Sequence, residues 1–397
     1  MSTIHGACDP RFDGVKQAFE KNFLDHDEIG ASVCITLHGE TVVDLWGGFA
    51  DETRQQTWQE NTKCVVFSCT KGATALCVHV LVSRGEVELD KPVAYYWPEF
   101  ADAGKKFIPV RMLLNHQSGL AAVDKPLSKE CYADWEEVIG ALEKQTPYWE
   151  PGSRAGYHLL SFGWLNGEIV RRVSGESLGR FFRREIAKPL GLDFWIGLPE
   201  RLDHEVAPMI PAPPDPDNDF FKALLDTDSM QTHGLLHFGN YMSTEAGFNS
   251  TAAHRAEIGG AGGITNARGL AGMYAPLANG GAINSAQIVS AGAIADMSRT
   301  SSALGTDAML LMPTRFGLGF MKSMDNRREP SGRRSSAVLS NTAFGHVGAG
   351  GSIGFADPAN RLSFGYAMNR MGPGLLLNER GQSLVDAANE SLKQITS

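Results

Sequence analysis

No stretch of this 397-residue chain reaches the roughly 18 uninterrupted apolar residues that a membrane span requires, so no transmembrane segment is expected. Blocks of Lys or Arg are missing as well, and the net charge is −9, which makes nucleic acid an unsuitable partner. The N-terminal Met1-Ser2-Thr3-Ile4-His5-Gly6-Ala7 lacks a basic region followed by an apolar one, so a cytoplasmic protein is expected. Six cysteines (Cys8, Cys34, Cys64, Cys69, Cys77 and Cys131) form no CxxC pair and no Cys/His zinc spacing, and read as free thiols. The histidines offer no HExxH or HxH cluster, so neither a metal nor another cofactor is expected. The signature of disorder is absent too: 43% of residues are hydrophobic and only 20% are charged. The length suffices for one large unit or two lobes with buried cores. Nothing in the composition specifies an oligomeric state.

What is present has a clear order. Phe12, Val15, Phe19 and Phe23 carry helical spacing. Two β-rich runs follow, Ala31 to Leu37 and Thr41 to Trp46, joined at His38-Gly39-Glu40 as a hairpin. Val65-Val66-Phe67 leads into Ser68, after which Ala73, Leu76, Cys77, Val80 and Leu81 predict a buried helix that ends at Arg84-Gly85. From about Glu88 to Arg299 helices and long loops dominate, including Leu159 to Val173 and Leu178 to Ile186. The proline-dense Pro208 to Asp217 reads as a surface loop or lid. Gly259 to Gly263 is a glycine-rich bend, with Thr265 as the expected cap of a helix to about Ala278. Strand patterns return at Phe316 to Ser323, Ser352 to Ala356 and Leu362 to Asn369, and a helix runs from about Gly381 to Ile395.

This order implies an α+β fold in which strands from both chain ends form one antiparallel sheet flanked by the terminal helices. Residues 1–87 and 300–397 are assigned to that lobe, and residues 88–299 to a mainly helical one. A cleft between the two is the natural place for a site.

Ser68 and Lys71 stand three apart at a helix start, on one face about a turn apart. A serine hydroxyl needs a neighbouring base, and a lysine serves only if burial or positive potential lowers its pKa. The helix N-terminus supplies such potential, and the Ser68 N–H there could face an oxyanion. Taken alone, the pair is more often a cap and a solvated lysine. Pro151 to Tyr157 is a turn-rich approach that presents Tyr157 before a helix; its phenolate is a competent proton shuttle if a cation such as Lys71 holds its pKa down. Phe344-Gly345-His346-Val347-Gly348-Ala349-Gly350-Gly351-Ser352 lets a ligand approach the backbone and leaves the Ala349 N–H to complete an oxyanion hole with Ser68. Cys69 is a weaker nucleophile candidate because no spaced base serves it. Gly175-Glu176-Ser177-Leu178-Gly179 matches GxSxG, but it lies between helical stretches and not on a strand-to-helix turn, so Ser177 reads as a helix N-cap. Trp46, Phe67 and the aromatic-rich Phe220 to Tyr241 region are candidates for an acyl or alcohol pocket.

Ser68-xx-Lys71, then Tyr157, then His346-Val347-Gly348, in this order and spacing, resemble the serine β-lactamase and penicillin-binding protein superfamily. The chain looks most like its class C β-lactamase-like esterases, the family VIII carboxylesterases. Leu113 to Leu120, Pro189-Leu190-Gly191-Leu192, Gly354 to Pro358 and Gly365 to Arg370 extend the likeness over residues 10 to 395. The resemblance implies a β-lactamase/transpeptidase-like fold, with Ser68 as nucleophile, Lys71 and Tyr157 as the acid/base pair, and His346, Gly348 and Ala349 on the oxyanion and substrate-binding strand. Which of Lys71 and Tyr157 is the resting base stays open. Two departures bear on substrate. The tyrosine motif ends in Leu159 where class C enzymes carry asparagine, and His346 replaces the lysine of their KTG motif. Both losses argue for small, short-acyl neutral esters over β-lactams or D-amino-acid peptides. A non-catalytic sensor of the same fold is the remaining alternative.

Overall fold

Nine strands line up in one antiparallel sheet: β1 (Ile4–Cys8), β2 (Gly30–Leu37), β3 (Glu40–Gly48), β4 (Ser302–Leu304), β5 (Thr314–Phe316), β6 (Met321–Lys322), β7 (Phe344–Val347), β8 (Ile353–Asp357) and β9 (Leu362–Met368). Their spatial order is β1-β3-β2-β9-β8-β7-β6-β5-β4, so the N-terminal hairpin is extended by the last strand of the chain. The computed structural model describes residues 3–242 and 245–396. Five helices matter for the site: α1 (Asp13–Asp25), α2 (Cys69–Ser83), α3 (Ser161–Ser174), α4 (Ala267–Ala278) and α5 (Glu379–Thr396). Helices and one antiparallel sheet are mixed in an α+β arrangement, as the strand and helix patterns imply.

Every residue of β2 and β9 is buried, because helices cover both faces of the sheet. Both strands alternate large apolar side chains with small ones, Val33, Ile35 and Leu37 with Ser32, Cys34 and Thr36 in β2, and Leu362, Phe364, Tyr366 and Met368 with Ser363, Gly365 and Ala367 in β9. On one face α4 packs against β2, β8 and β9. Gly365 permits that approach, since a Cβ there would lie 2.3 Å from the Ala267 carbonyl oxygen. Tyr366, one residue on, serves the opposite face. Its hydroxyl donates to the buried Glu28 carboxylate, which Arg380 of α5 also meets at 2.9 Å. Helix α2 is buried at every position from Cys69 to Leu81, between α3 and β7. A helix apolar all round belongs in an interior, and this one carries its N-terminus to the junction of sheet and helical region.

Several local expectations are corrected. The strand expected over Phe316 to Ser323 is a tight hairpin: β5 and β6 pair Phe316 with Met321 around Gly317 to Phe320. Gly317 abuts the Met297 carbonyl and Gly319 adopts φ +89°, so a side chain at either would break the turn. The cap of α4 is Asn266, whose side chain accepts from Gly269 N–H; the Thr265 hydroxyl instead donates to Asp193 O. Helix α4, expected among the helices of residues 88–299, lies on the sheet. The edge strands β1 and β4 carry no alternation strong enough to announce them. The proline-dense segment is no free lid at its start, because Ile210 N–H donates to Asn369 O and Met371 N–H to Ile210 O, fastening it beyond the end of β9.

Candidate active site

The turn that presents Ser68 is built from both ends. Cys64–Val65 pairs with Gly263–Thr265, and Phe67 then bridges to Gly262. Phe67 holds φ +42°, a conformation uncommon for a bulky side chain, and is braced by an edge contact with Phe248 at 5.3 Å. Ser68 follows at the N-cap of α2 with no side-chain cap bond, so its hydroxyl is not tied to the helix end.

Lys71 is fully buried one turn on. Its Nζ lies 3.2 Å from Ser68 Oγ and 2.7 Å from each of the carbonyl oxygens of Leu159 and Gly260. Burial pushes the Lys71 pKa well below its ordinary value, only weakly opposed by Cys69. A neutral amine has two N–H groups and one lone pair. In that neutral form the two carbonyls take the hydrogens and the lone pair faces Ser68 Oγ, whereas the ammonium form donates to Ser68 Oγ as well. The neighbouring Cys69 offers no competition, since burial pushes its thiol far up and its Sγ is held 3.2 Å from His346 O.

Tyr157 is pinned in place by its neighbours. Its N–H donates to Asp307 Oδ1 at 2.9 Å, and the following N–H of His158 donates to His116 Nδ1 at 3.1 Å. Its ring stacks on Phe316, packs 4.8 Å from His116, and lies under Lys71 Nζ at 4.7 Å. Its hydroxyl reaches His346 Nε2 at 3.4 Å. Since His346 Nδ1 donates to Val347 O at 2.8 Å, Nε2 is the acceptor and Tyr157 the donor. The expectation of a stabilised phenolate is corrected: burial pushes Tyr157 above the ordinary tyrosine range, with a hydrogen bond to Ser68 pulling the other way. Burial, then the proximity of Lys71, pushes His346 down to about 3.

Gly348 brings β7 against this turn. A Cβ on it would lie 2.3 Å from Val66 O, while its N–H donates to Ser352 O at 2.7 Å. The next residue, Ala349, lines the cavity together with Ser68. Among the described residues, neither the Ser68 N–H nor the Ala349 N–H has an intramolecular acceptor. His346 and Gly348 stand behind the cavity wall, not on it.

The cavity measures about 490 Å³, and no charged side chain stands among the described residues that line it. Besides Ser68 and Tyr157 its walls are apolar: Phe67, Leu159 and Leu160 near the serine, Pro211 to Pro214 with Phe220, Phe221 and Leu224 opposite, and Met371 to Leu375 on a third side. Of the aromatic candidates, Phe67 and Phe220 face it; Trp46 lies away, against His5 and the Arg268 guanidinium. Ser177 is far from this arrangement in kind: it stands at a helix N-cap position, but its hydroxyl donates to Glu257, and that carboxylate caps the helix through Gly179 N–H. Sequence reasoning missed Asp307 and His116 as the supports of Tyr157, and the two carbonyls on Lys71. No side-chain pattern marks a carbonyl, and Asp307 is an isolated acid in a loop.

A beta-lactamase family model matches residues 16–389. The esterase/beta-lactamase LipL of Mycobacterium tuberculosis is 32% identical over 384 residues, covering 93% of this chain and 83% of that protein. The crystal structure of a family VIII carboxylesterase superposes with a TM-score of 0.88 at 38% identity, covering 98% of this chain and all of that one. A penicillin-binding protein homologue from Caulobacter crescentus gives 0.85 at 34% identity, with 98% and 100% covered. With a family match over nearly its whole length and full-length likenesses on both measures, this chain belongs to the beta-lactamase family.

Proposed function

We propose that the chain is a serine carboxylesterase acting on small neutral esters through an acyl-enzyme on Ser68. The observation that carries this reading is a cavity with no charged side chain among its described lining residues, over a serine whose neighbouring lysine is fully buried with its pKa lowered. Esterase relatives support it, among them the family VIII carboxylesterase and LipL. Lys71 takes the Ser68 proton, and Ser68 Oγ attacks the ester carbonyl. The N–H groups of Ser68 and Ala349 receive the oxyanion. Tyr157, a neutral phenol, gives its proton to the leaving alkoxide and is reprotonated from Lys71; His346 orients its hydroxyl. A water then repeats the sequence to release the acid. Two satisfied carbonyls and burial favour Lys71 over Tyr157 as the resting base.

A β-lactamase or D-amino-acid peptidase reading has relatives too, including a putative D-alanyl-D-alanine carboxypeptidase of Escherichia coli. It would need a cation for the substrate carboxylate. Burial holds His346 down at about 3, and no charged side chain stands among the described residues that line the cavity. Wild type and Ser177→Ala are expected to hydrolyse p-nitrophenyl butyrate and to gain one fluorophosphonate adduct by mass spectrometry, whereas Ser68→Ala does neither. Retained turnover in folded Ser68→Ala would overturn the assignment, and nitrocefin turnover matching ester turnover would favour the peptidase reading. The close approach of Gly348 supplies a second test. Gly348→Ala forces β7 away from Val66 and is expected to lower kcat about 100-fold, with a smaller change in KM. An unchanged kcat would show that the strand does not hold the oxyanion donor.

The division into residues 1–87 with 300–397 and residues 88–299, with α4 as the part of the second segment that packs on the sheet, and a cytoplasmic location stay part of this proposal; no helix among the described residues is long and apolar enough to cross a membrane.

A further inference from the structure

The loop from Gly305 to Pro313 is wound around a single carboxylate. Asp307 is fully buried, and its Oδ1 accepts from the N–H groups of Met309 and Leu310 in its own loop and from Tyr157 N–H, each at 2.9 Å. Its Oδ2 faces the Thr314 hydroxyl at 3.3 Å. Among the described residues all partners of this carboxylate are donors, the pattern of an ionised acid that holds N–H groups in place. The backbone closes the same knot: Asp307 N–H donates to Met312 O, Leu311 N–H donates to Asp307 O, and Leu311 is held at φ +58°. Capping its own turn accounts for the bonds from Met309 and Leu310. The bond from Tyr157 is different, since it reaches a segment 150 residues away.

Further contacts make the loop a strut. Ala308 N–H donates to Ala155 O at 3.0 Å, so the chain entering Tyr157 is held both at Ala155 and at Tyr157 itself. On the far side Gln231 Nε2 donates to Ala308 O at 2.9 Å and to Met309 O at 3.0 Å, from the short helix Met230–Leu236. That helix and the loop both reach the cavity, through Leu235 and Leu310. The loop then runs into β5, whose Phe316 stacks on the Tyr157 ring. One short segment thus sets both the backbone and the ring plane of Tyr157.

We infer that Asp307 is a positioning residue for the reaction: through the Tyr157 N–H it sets the phenol against the leaving oxygen, so that its effect falls on proton delivery to the alkoxide. The inference rests on the esterase reading above. In that step the bond from the acyl carbon to the leaving oxygen breaks, its electron pair goes to that oxygen, and the Tyr157 proton moves onto it. A bond at the backbone moves the whole residue, and a displacement of about 1 Å costs on the order of a hundredfold in rate. The cost depends on the substrate. An alkoxide needs the proton as the C–O bond breaks, whereas p-nitrophenolate leaves as a stable anion and needs little help. Loss of Asp307 therefore discriminates between esters by their leaving group, which a loss of folded protein does not.

The test compares kcat/KM for ethyl butyrate, followed by titration of the released acid, with kcat/KM for p-nitrophenyl butyrate. Asp307→Ala is expected to raise the preference for the p-nitrophenyl ester about 10- to 100-fold over wild type, and Tyr157→Phe at least about 100-fold. This preference is a ratio, independent of how much folded enzyme is present. Asp307→Asn keeps an oxygen for the same N–H groups and turns its amide towards the Thr314 hydroxyl, so its preference is expected to stay within about threefold of wild type. An unchanged preference in Asp307→Ala beside a raised one in Tyr157→Phe would overturn the inference and leave the esterase reading standing. If Tyr157→Phe leaves the preference unchanged, the acid role of Tyr157 in that reading has failed instead. A rise in Asp307→Asn as large as in Asp307→Ala also refutes positioning, because charge and not the acceptor would then matter. Should Asp307→Ala not fold, Gln231→Met loosens the same loop from the cavity side and is expected to raise the preference about threefold; no rise there rejects the strut.

Discussion

Lys71→Met is expected to lower kcat/KM for p-nitrophenyl butyrate on the order of 10⁴-fold, at the upper end of what a general base supplies. Methionine keeps the volume and the apolar stem of the lysine but removes the lone pair that meets Ser68. The substitution has two opposing effects on stability. It leaves the carbonyls of Leu159 and Gly260 without a donor, at about 1–3 kcal/mol each, and it relieves the desolvation of a buried amine. A folded but inactive protein is therefore the expected product, checked by circular dichroism beside the kinetics. Lys71→Arg is expected to be no better, because a guanidinium keeps its proton at any working pH. The pH profile separates this from a merely structural loss. Lys71 must be neutral to act, so wild-type activity falls as pH drops through its folded pKa, which burial sets well below 10.5. In Lys71→Met the residual rate is expected to lose that limb. A variant that keeps the wild-type profile would assign the base to another group.

Acid is expected to unfold the protein steeply between about pH 6.5 and 4, through four histidines buried without charge. Burial pushes His79 and His158 down to about 4 and His346 to about 3, and holds His116 well below its ordinary value. The sign follows from which state binds the proton. The unfolded chain takes up protons on these groups below about pH 6.5, while the folded protein does not, so their contribution is complete above that pH and is lost as pH falls. Four such groups give a limiting slope of about 5 kcal/mol per pH unit. Glu28 and Asp307 act in the opposite sense, since burial raises both and the folded state then holds their protons more readily as pH falls. They soften the loss towards the acid end. Urea unfolding at a series of pH values measures the slope directly, and a value under one proton between pH 5 and 6 would refute the prediction. His79→Phe offers a control away from the catalytic serine, because it should remove one proton from the slope.

Much of the site was legible because its chemistry follows a short spacing. Ser68 and Lys71 share a helix face whatever the rest of the chain does, and the apolar run behind them demanded a buried helix. The strands β2 and β9 announced themselves through large apolar side chains at alternate positions. The parts that escaped depend on contacts between distant residues. The carbonyl of Gly260 lies 189 residues from Lys71, and Asp307 lies 150 residues from Tyr157. Such partners are chosen by the fold and leave no mark in a local pattern. The protonation state of Tyr157 escaped for the same reason, since it turns on burial that only the assembled lobes create. Thr265 and Asn266 show a finer limit: both are good caps, and the pairing of Thr265 with Asp193 decided between them.

The pairing of β2 with β9 has a consequence for biosynthesis. Thr36 and Ser363 touch across these strands, hydroxyl to hydroxyl, yet stand 327 residues apart in the chain. A ribosome adding about 5–20 residues per second needs on the order of half a minute to make the second strand after the first. Through that interval the most apolar strand of the N-terminal hairpin presents a bare backbone edge, the kind of surface that recruits other nascent chains. Truncated products and slow translation therefore expose this protein to aggregation in a way its finished sheet conceals, and the last strand to leave the ribosome is the one that closes the wound.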